Sequence, residues 1–105
     1  MERNFTRTER RTLRKLASQA YARELDEALR DLASAFTDWK AQRIDGFTLA
    51  QTIHEFHDGI ARDLWARYEP VSPEVAVRMA LEAGVIRPGE VPTELHAKLG
   101  VRREQ

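Results

Sequence analysis

The side chains best suited to chemistry lie in the segment Ile53–Asp58, which contains two of the three histidines of the sequence. His54 and His57 are three residues apart, and His54 and Asp58 are four apart, so each pair shares one side of a helix. Imidazole nitrogens and carboxylate oxygens are ligands of zinc and related metals. Asp38 would lie opposite this turn if the chain folds back on itself. The four residues therefore predict one possible site for a divalent transition metal.

The same segment also has an interpretation without a ligand. His54 would pair with Asp58, and His57 would be a hydrogen-bonded residue at the edge of an apolar face. The sequence lacks the HExxH signature of zinc peptidases and has no Glu-x-x-His pair, as found in di-iron helical bundles. We therefore expect no cofactor, and we keep the metal site as the alternative.

A basic cluster opens the chain. Arg7, Arg10, Arg11 and Arg14 are three or four residues apart, which places them along one side of a helix. Residues 1–15 hold six basic and two acidic side chains, whereas residues 16–101 hold nine basic and fourteen acidic ones. The simplest interpretation of the four arginines is a solvated helix face, but the dipole can also orient self-association or bind an acidic partner. Nucleic acid is the less favoured partner, because the net charge is zero and no recognition-helix motif is present.

Several classes of function lack their characteristic residues. Without cysteine there is no disulfide, thiolate metal site or thiol nucleophile. The sequence has no phosphate-binding glycine loop, no GxSxG elbow and no dinucleotide fingerprint. No apolar run approaches the ~20 residues that span a bilayer, so we expect no membrane contact and a cytoplasmic protein.

Helical signals cover most of the chain. Between residues 6 and 44 there is no proline or glycine, and apolar side chains recur at steps of three and four. Thr6 and Glu9 form a predicted capping box, and Asp45-Gly46 predicts a stop. A second helix is predicted over 48–69, with Thr48 as its cap and Pro70 beyond its end.

Two shorter helices are predicted to follow, over 73–83 and 92–99. Ser72-Pro73 has the sequence of a helix start, whereas Gly84 and Gly100 suit the left-handed residue after a helix end. The fold class predicted for the single domain 1–105 is all-α: a long antiparallel helical hairpin with two short helices at its C-terminal end.

The unequal lengths of the first two helices predict a partner. At 1.5 Å per residue the first would be about 57 Å long and the second about 30 Å. Leu13, Leu16, Ala20 and Tyr21 would then need cover from the tail of the chain or from a second copy. The tail is short and interrupted by proline, so we expect a homodimer that completes a helical bundle. Its predicted interface residues are Leu13, Leu16, Tyr21 and Trp65, because tryptophan is enriched at interfaces.

The function predicted from these features is non-enzymatic. We expect a small cytoplasmic interaction, regulatory or accessory protein that works through helical surfaces and forms a homodimer, with a further protein partner possible. A metal-binding helical protein and a nucleic-acid-binding module that uses the basic N-terminus are the two alternatives.

Overall fold

The computed structural model describes residues 4–101, and all their regular structure is helical. Five α-helices follow along this part of the chain: α1 (Arg7–Lys40), α2 (Gly46–Glu55), α3 (Arg62–Tyr68), α4 (Pro73–Glu82) and α5 (Thr93–Leu99). A π-helical turn, Phe56–Ala61, joins α2 to α3 without a break, and a short 3-10 turn, Pro88–Glu90, precedes α5. The predicted all-α class is confirmed.

The helix α1 starts as the sequence predicts but ends four residues early. Thr6 and Glu9 form the predicted capping box, with bonds of 3.0 and 2.9 Å. At the other end, Gln42 adopts a left-handed conformation (φ 64°), and the amide of Arg43 donates to the carbonyl of Asp38 at 2.8 Å. A glutamine therefore ends the helix where we had expected Gly46 to do so.

The helix α2 also starts at a different residue from the one predicted. The carboxylate of Asp45 accepts the amide of Thr48 at 2.8 Å, so Asp45 is the cap and Gly46 is the first helical residue. Thr48, the predicted cap, lies inside the first turn. The connection between the two long helices is therefore the short segment between Lys40 and Gly46, which is tight enough to reverse the chain.

The two long helical segments run antiparallel. Near the base of the hairpin, Arg67 donates to the carboxylate of Glu24 at 2.9 Å, and the ring of Tyr21 stacks on that of Tyr68. Farther along, Leu32 of α1 lies beside Phe56. Later residues of α1 thus meet earlier residues of the second segment, as the predicted hairpin requires.

The spacing of the apolar residues explains the π-helical turn. Phe56, Ile60, Leu64 and Tyr68 follow one another at steps of four. Four residues of a regular α-helix rotate about 40° past a full turn, so three such steps would carry Tyr68 about 120° away from Phe56. One wide turn takes up the extra residue. Leu64 and Tyr68 are consequently buried, at 1% and 9% exposure.

The tail of the chain, residues 73–101, covers the N-terminal half of α1. Leu13, Leu16 and Ala20 are buried and belong to one core cluster with Phe5, which precedes α1, and with residues of the hairpin base and tail: Leu64, Tyr68, Ala76, Val77, Ala80, Ile86, Val91, Leu95 and Leu99. Our expectation that a second copy covers this half is wrong. Gly84, in a left-handed conformation (φ 77°), turns the chain after α4 and allows the tail to pack as a cap despite its prolines.

Two residues of α1, Glu9 and Arg23, make polar contacts with the tail. Arg23 donates to the carbonyl of Val85 at 2.9 Å and to the carboxylate of Glu90 at 3.0 Å. Lys98 binds the carboxylate of Glu9 at 2.7 Å. The pKa of Glu90 is lowered from its usual 4.5 to about 2, first by the hydrogen bond from Arg23 and then by the backbone amide of Arg87. These bonds fix where the tail lies on α1.

The outline of the molecule is elongated. Its principal extents are 54, 30 and 19 Å, and its radius of gyration is 17.7 Å. A compact domain of this length would have a radius of gyration of about 13 Å. The difference arises because the tail covers one end of α1 only, so the bend of the hairpin extends beyond the core.

Candidate interaction surface

The projecting part of the hairpin has almost no core of its own. We call residues 24–65 the hairpin arm. Within it only Leu49, at 6% exposure, and Leu64 at its base are buried. Two helices packed side by side can bury only the strip along which they touch, and the tail does not reach this part of the chain. The arm is therefore the least covered region that the structure describes.

Apolar side chains are exposed along the whole arm. Nine large hydrophobic residues of the described chain are exposed, and seven of them lie here: Leu29 (42%), Phe36 (38%), Trp39 (43%), Phe47 (88%), Ile53 (39%), Ile60 (41%) and Trp65 (55%). Single exposed hydrophobic residues are common in soluble proteins, but a cluster of this kind marks a binding surface or an aggregation site.

One broad side of the arm carries most of these residues. On α1, Leu29 and Phe36 are seven residues apart, which is two helical turns. On the second segment, Ile53 and Trp65 are twelve apart, and the wide π turn between them brings Trp65 round towards the side of Ile53. We call Leu29, Phe36, Ile53 and Trp65 the arm face.

The tail lies on the other side of the hairpin. Ala28 and Asp31 of α1 line a shallow groove there together with Thr52 and Glu55 of α2. Around the helix axis, these residues are rotated away from those of the arm face by about one residue position or more. Nearer the base, α4 packs against this same side, beside Glu24. The arm face is therefore not covered by any described part of its own chain.

The size of the arm face suits the centre of a protein interface. A large apolar side chain offers roughly 150–250 Å², so four residues exposed to about two-fifths or more present on the order of 350 Å² of apolar surface. The largest apolar patch of a monomeric protein is about 300–600 Å² and is often functional. A standard interface buries about 800 Å² on each partner, with an apolar centre and a polar rim.

The predicted metal ligands do not converge. The His54 ring nitrogen lies 3.0 Å from a carboxylate oxygen of Asp58, and both side chains are about half exposed or more. Asp38 is occupied by Arg43, which binds it at 2.9 Å beside the bend, and His57 is exposed. Across residues 4–101, no three histidine, aspartate or glutamate side chains come together at metal-binding distance.

The four predicted arginines are all exposed. Arg7, Arg10, Arg11 and Arg14 have no ion pair with any residue that the structure describes. Glu9, the acid among them, binds Lys98 of the tail instead. The cationic side of α1 is therefore open to a partner along its first two turns.

The predicted interface residues divide into two groups. Leu13 and Leu16 are 2% and 6% exposed and form part of the intramolecular core, so they cannot contact a second copy without unfolding the tail. Tyr21 is half-buried against Tyr68, with ring centroids 5.1 Å apart. Trp65 is 55% exposed and lies on the arm face, where an interface residue should be.

Sequence reasoning missed most of the arm face. The predicted interface included Trp65 but not Leu29, Phe36 or Ile53. The signal was nevertheless present, because the apolar stripe of α1 widens towards its C-terminal end to include Leu29 and Phe36 beside Leu32. A stripe of that width needs more than one neighbouring helix to cover it.

Compared with protein-family models, with curated proteins and with solved structures, the chain matches none of them. Within residues 4–101, no helix combines the length and the apolar character that crossing a membrane requires.

Proposed function

We propose that this chain is a small non-enzymatic interaction protein whose working surface is the arm face, and that its first partner is a second copy of itself. The observation that supports the proposal is the arm face itself, an exposed apolar surface that includes Trp65. The cytoplasm is the compartment that we propose, since a chain without cysteine suits a reducing environment.

A second hairpin is a suitable cover for the arm. Two arms packed face to face make a four-helix core, which is a stable arrangement for helices that are each apolar on a wide side. In a two-fold symmetric dimer the same patch serves both copies, so Leu29 and Phe36 of each are buried at once. The expected dimer remains our proposal, but its interface moves from Leu13 and Leu16 to the arm.

Light scattering of the purified chain tests this proposal. We expect a mass of twice the 12.1 kDa of one chain at high micromolar concentration. Leu29→Glu and Phe36→Glu should each raise the dimer Kd by tenfold or more, since a buried charge at an interface is costly. Circular dichroism melts would confirm that both variants still fold.

The matched controls lie on α4. Val75 and Met79 are 37% and 39% exposed, much like Leu29 (42%) and Phe36 (38%), but they lie on α4 and not on the arm face. Val75→Glu and Met79→Glu should leave the dimer intact. A wild-type chain that stays monomeric at high micromolar concentration would contradict the proposal, and so would a dimer that only the α4 variants weaken.

A further inference from the structure

A second exposed surface lies on α1 at the end away from the bend of the hairpin. We call residues 7–15 the basic segment, which holds five basic side chains and one acid. All five are exposed: Arg7, Arg10, Arg11, Arg14 and Lys15. At about 100° per residue they lie within about 140° of the helix circumference. None of the five has an ion pair among residues 4–101, so the segment presents a strip of unpaired positive charge.

Glu9 and Glu74 lie beside this strip, and each already has a cationic partner. The carboxylate of Glu9 faces the tail, where it binds Lys98 at 2.7 Å. Glu74 lines a groove together with Arg10 and Arg14, but it binds Arg78 of its own helix. The arginines of the basic segment therefore keep their charge available for a partner outside the chain.

The neutral net charge of the chain does not cancel this local charge. The hairpin arm holds nine of the 17 acidic residues, and the first of them, Glu24, lies thirteen residues beyond Arg11. At 1.5 Å per residue this separation is about 20 Å along α1. Salt at 0.1 M screens exposed charges over about 10 Å. A polyanion on the basic segment would therefore interact with the arginines much more strongly than with the acids of the arm.

The residue types of the basic segment suit a phosphate backbone better than an acidic protein. Protein interfaces have an apolar centre, but Leu13, the only large hydrophobic residue of the segment, is 2% exposed. The segment contains no aromatic residue on which single-stranded bases could stack. The planar guanidinium of arginine can bind two phosphate oxygens at once. A strip about 12 Å long spans about three or four phosphates of one duplex strand.

We infer that the basic segment binds the phosphate backbone of double-stranded nucleic acid without reading its bases. The inference goes beyond the proposed function and does not depend on it, because residues 7–15 lie outside the arm. The sequence favours an acidic protein as the partner, whereas the burial of Leu13 and the bond between Glu9 and Lys98 favour nucleic acid. Contacts to phosphate alone give binding that depends strongly on salt and little on base sequence.

Fluorescence anisotropy with short labelled duplexes of mixed sequence tests this inference. The logarithm of the binding constant should fall linearly with the logarithm of the sodium chloride concentration. Its slope should be about −3 to −4, because four arginines that each contact one phosphate release about 0.9 counterions apiece. Duplex DNA and duplex RNA of the same sequence are measured side by side, and the more tightly bound of the two is the preferred source of the phosphates.

A pair of matched double variants shows whether the basic segment is the site. Arg11→Ala with Arg14→Ala should weaken binding at low salt by about tenfold or more and should make the slope about two units shallower. Arg30→Ala with Arg62→Ala is the control, because it removes the same charge from exposed, unpaired arginines of the arm. It should change the Kd by less than about twofold. Alanine favours helix, so both variants should fold, and circular dichroism would check this.

Four results would overturn the inference: no binding of either duplex at low salt, binding that does not change with salt, equal weakening by the two double variants, or tighter binding of polyglutamate than of duplex. The last result would assign the basic segment to an acidic protein. Leu29→Glu, which should break the proposed dimer, should still bind duplex with the same dependence on salt. A failure of this inference can therefore be told apart from a failure of the proposed function.

Discussion

The rings of Tyr21 and Tyr68 stack nearly parallel, with centroids 5.1 Å apart and an angle of 8° between their planes. The stack lies where α1 passes from the part covered by the tail to the part covered only by the hairpin. The hydroxyl of Tyr68 donates to the carboxylate of Glu24, which also binds Arg67. This contact therefore joins the core to the base of the arm.

The hydroxyl of Tyr68 should matter more than that of Tyr21. Tyr68→Phe keeps the stack but removes a hydrogen bond to a charged, partly buried carboxylate, so it should lower the free energy of unfolding by about 1–2 kcal/mol. Tyr21→Phe is the control, because the Tyr21 hydroxyl has no hydrogen bond within residues 4–101, and it should be nearly neutral. Urea unfolding would measure both, and equal effects would count against this network.

Leu13 and Leu29 should respond in opposite ways to shortening. Leu13→Ala leaves a cavity in the core under the tail and should cost about 2–5 kcal/mol of folding stability. Leu29→Ala changes a half-exposed side chain and should cost under about 1 kcal/mol in the monomer. It should nevertheless weaken the dimer. Chemical unfolding at low protein concentration and a dimer Kd for each variant would check this. If Leu13→Ala were as stable as wild type, the burial of Leu13 beneath the tail of its own chain would be contradicted.

Two glycines should differ in what they tolerate. A Cβ added at Gly59 would meet no atom within 4 Å apart from the nearby backbone of its own helix, so Gly59→Ala should stabilise the helix by about 0.5–1 kcal/mol. Gly84 adopts a positive φ of 77°, so Gly84→Ala should destabilise by about 1–2 kcal/mol. Thermal melts would compare them. A destabilising Gly59→Ala would mean that the π turn itself requires glycine.

Acid should loosen the tail through Glu90. The pKa of this carboxyl in the folded chain is about 2, below its usual 4.5, so its contribution is complete above about pH 5 and is lost as the pH falls towards 2. Glu90→Gln should therefore be less stable than wild type at neutral pH, and this difference in stability should shrink steadily as the pH falls. Thermal melts along a pH series would show it. If the stability difference did not depend on pH, the ionised bond between Glu90 and Arg23 could not be its cause.

The His54 segment should not retain a metal. Transition-metal sites use three or four protein ligands, and among residues 4–101 the structure pairs His54 with Asp58 alone. After dialysis against zinc and then buffer, native mass spectrometry should show the chain without stoichiometric metal. Retained zinc in a one-to-one ratio, lost in His54→Ala, would revive the metal alternative.

Local signals predicted the helices well. Thr6 with Glu9, and Ser72 with Pro73, start helices where expected, because capping depends on neighbouring residues alone. The sequence predicted the position of the bend between α1 and α2 less accurately. Gln42 rather than Gly46 takes the left-handed position, and a glutamine there is not recognisable from its sequence neighbours.

Long-range packing could not be predicted in the same way. Whether the tail or a second copy covers Leu13 depends on how the chain turns after Gly84 and on the bonds of Arg23 to Val85 and Glu90, which join residues more than sixty positions apart. The helical period shows which side of α1 is apolar, but it does not name the neighbour. Which side of the arm stays uncovered depends on where the tail packs.

Both tryptophans of the sequence lie in the arm, so their fluorescence reports directly whether the arm is covered. Trp39 and Trp65 are 43% and 55% exposed in the single chain. The most direct test is acrylamide quenching of this fluorescence from submicromolar to high micromolar protein concentration. We expect quenching to fall as concentration rises, with Leu29→Glu abolishing the change. Quenching that stays constant across the whole range would contradict the arm as the site of self-association.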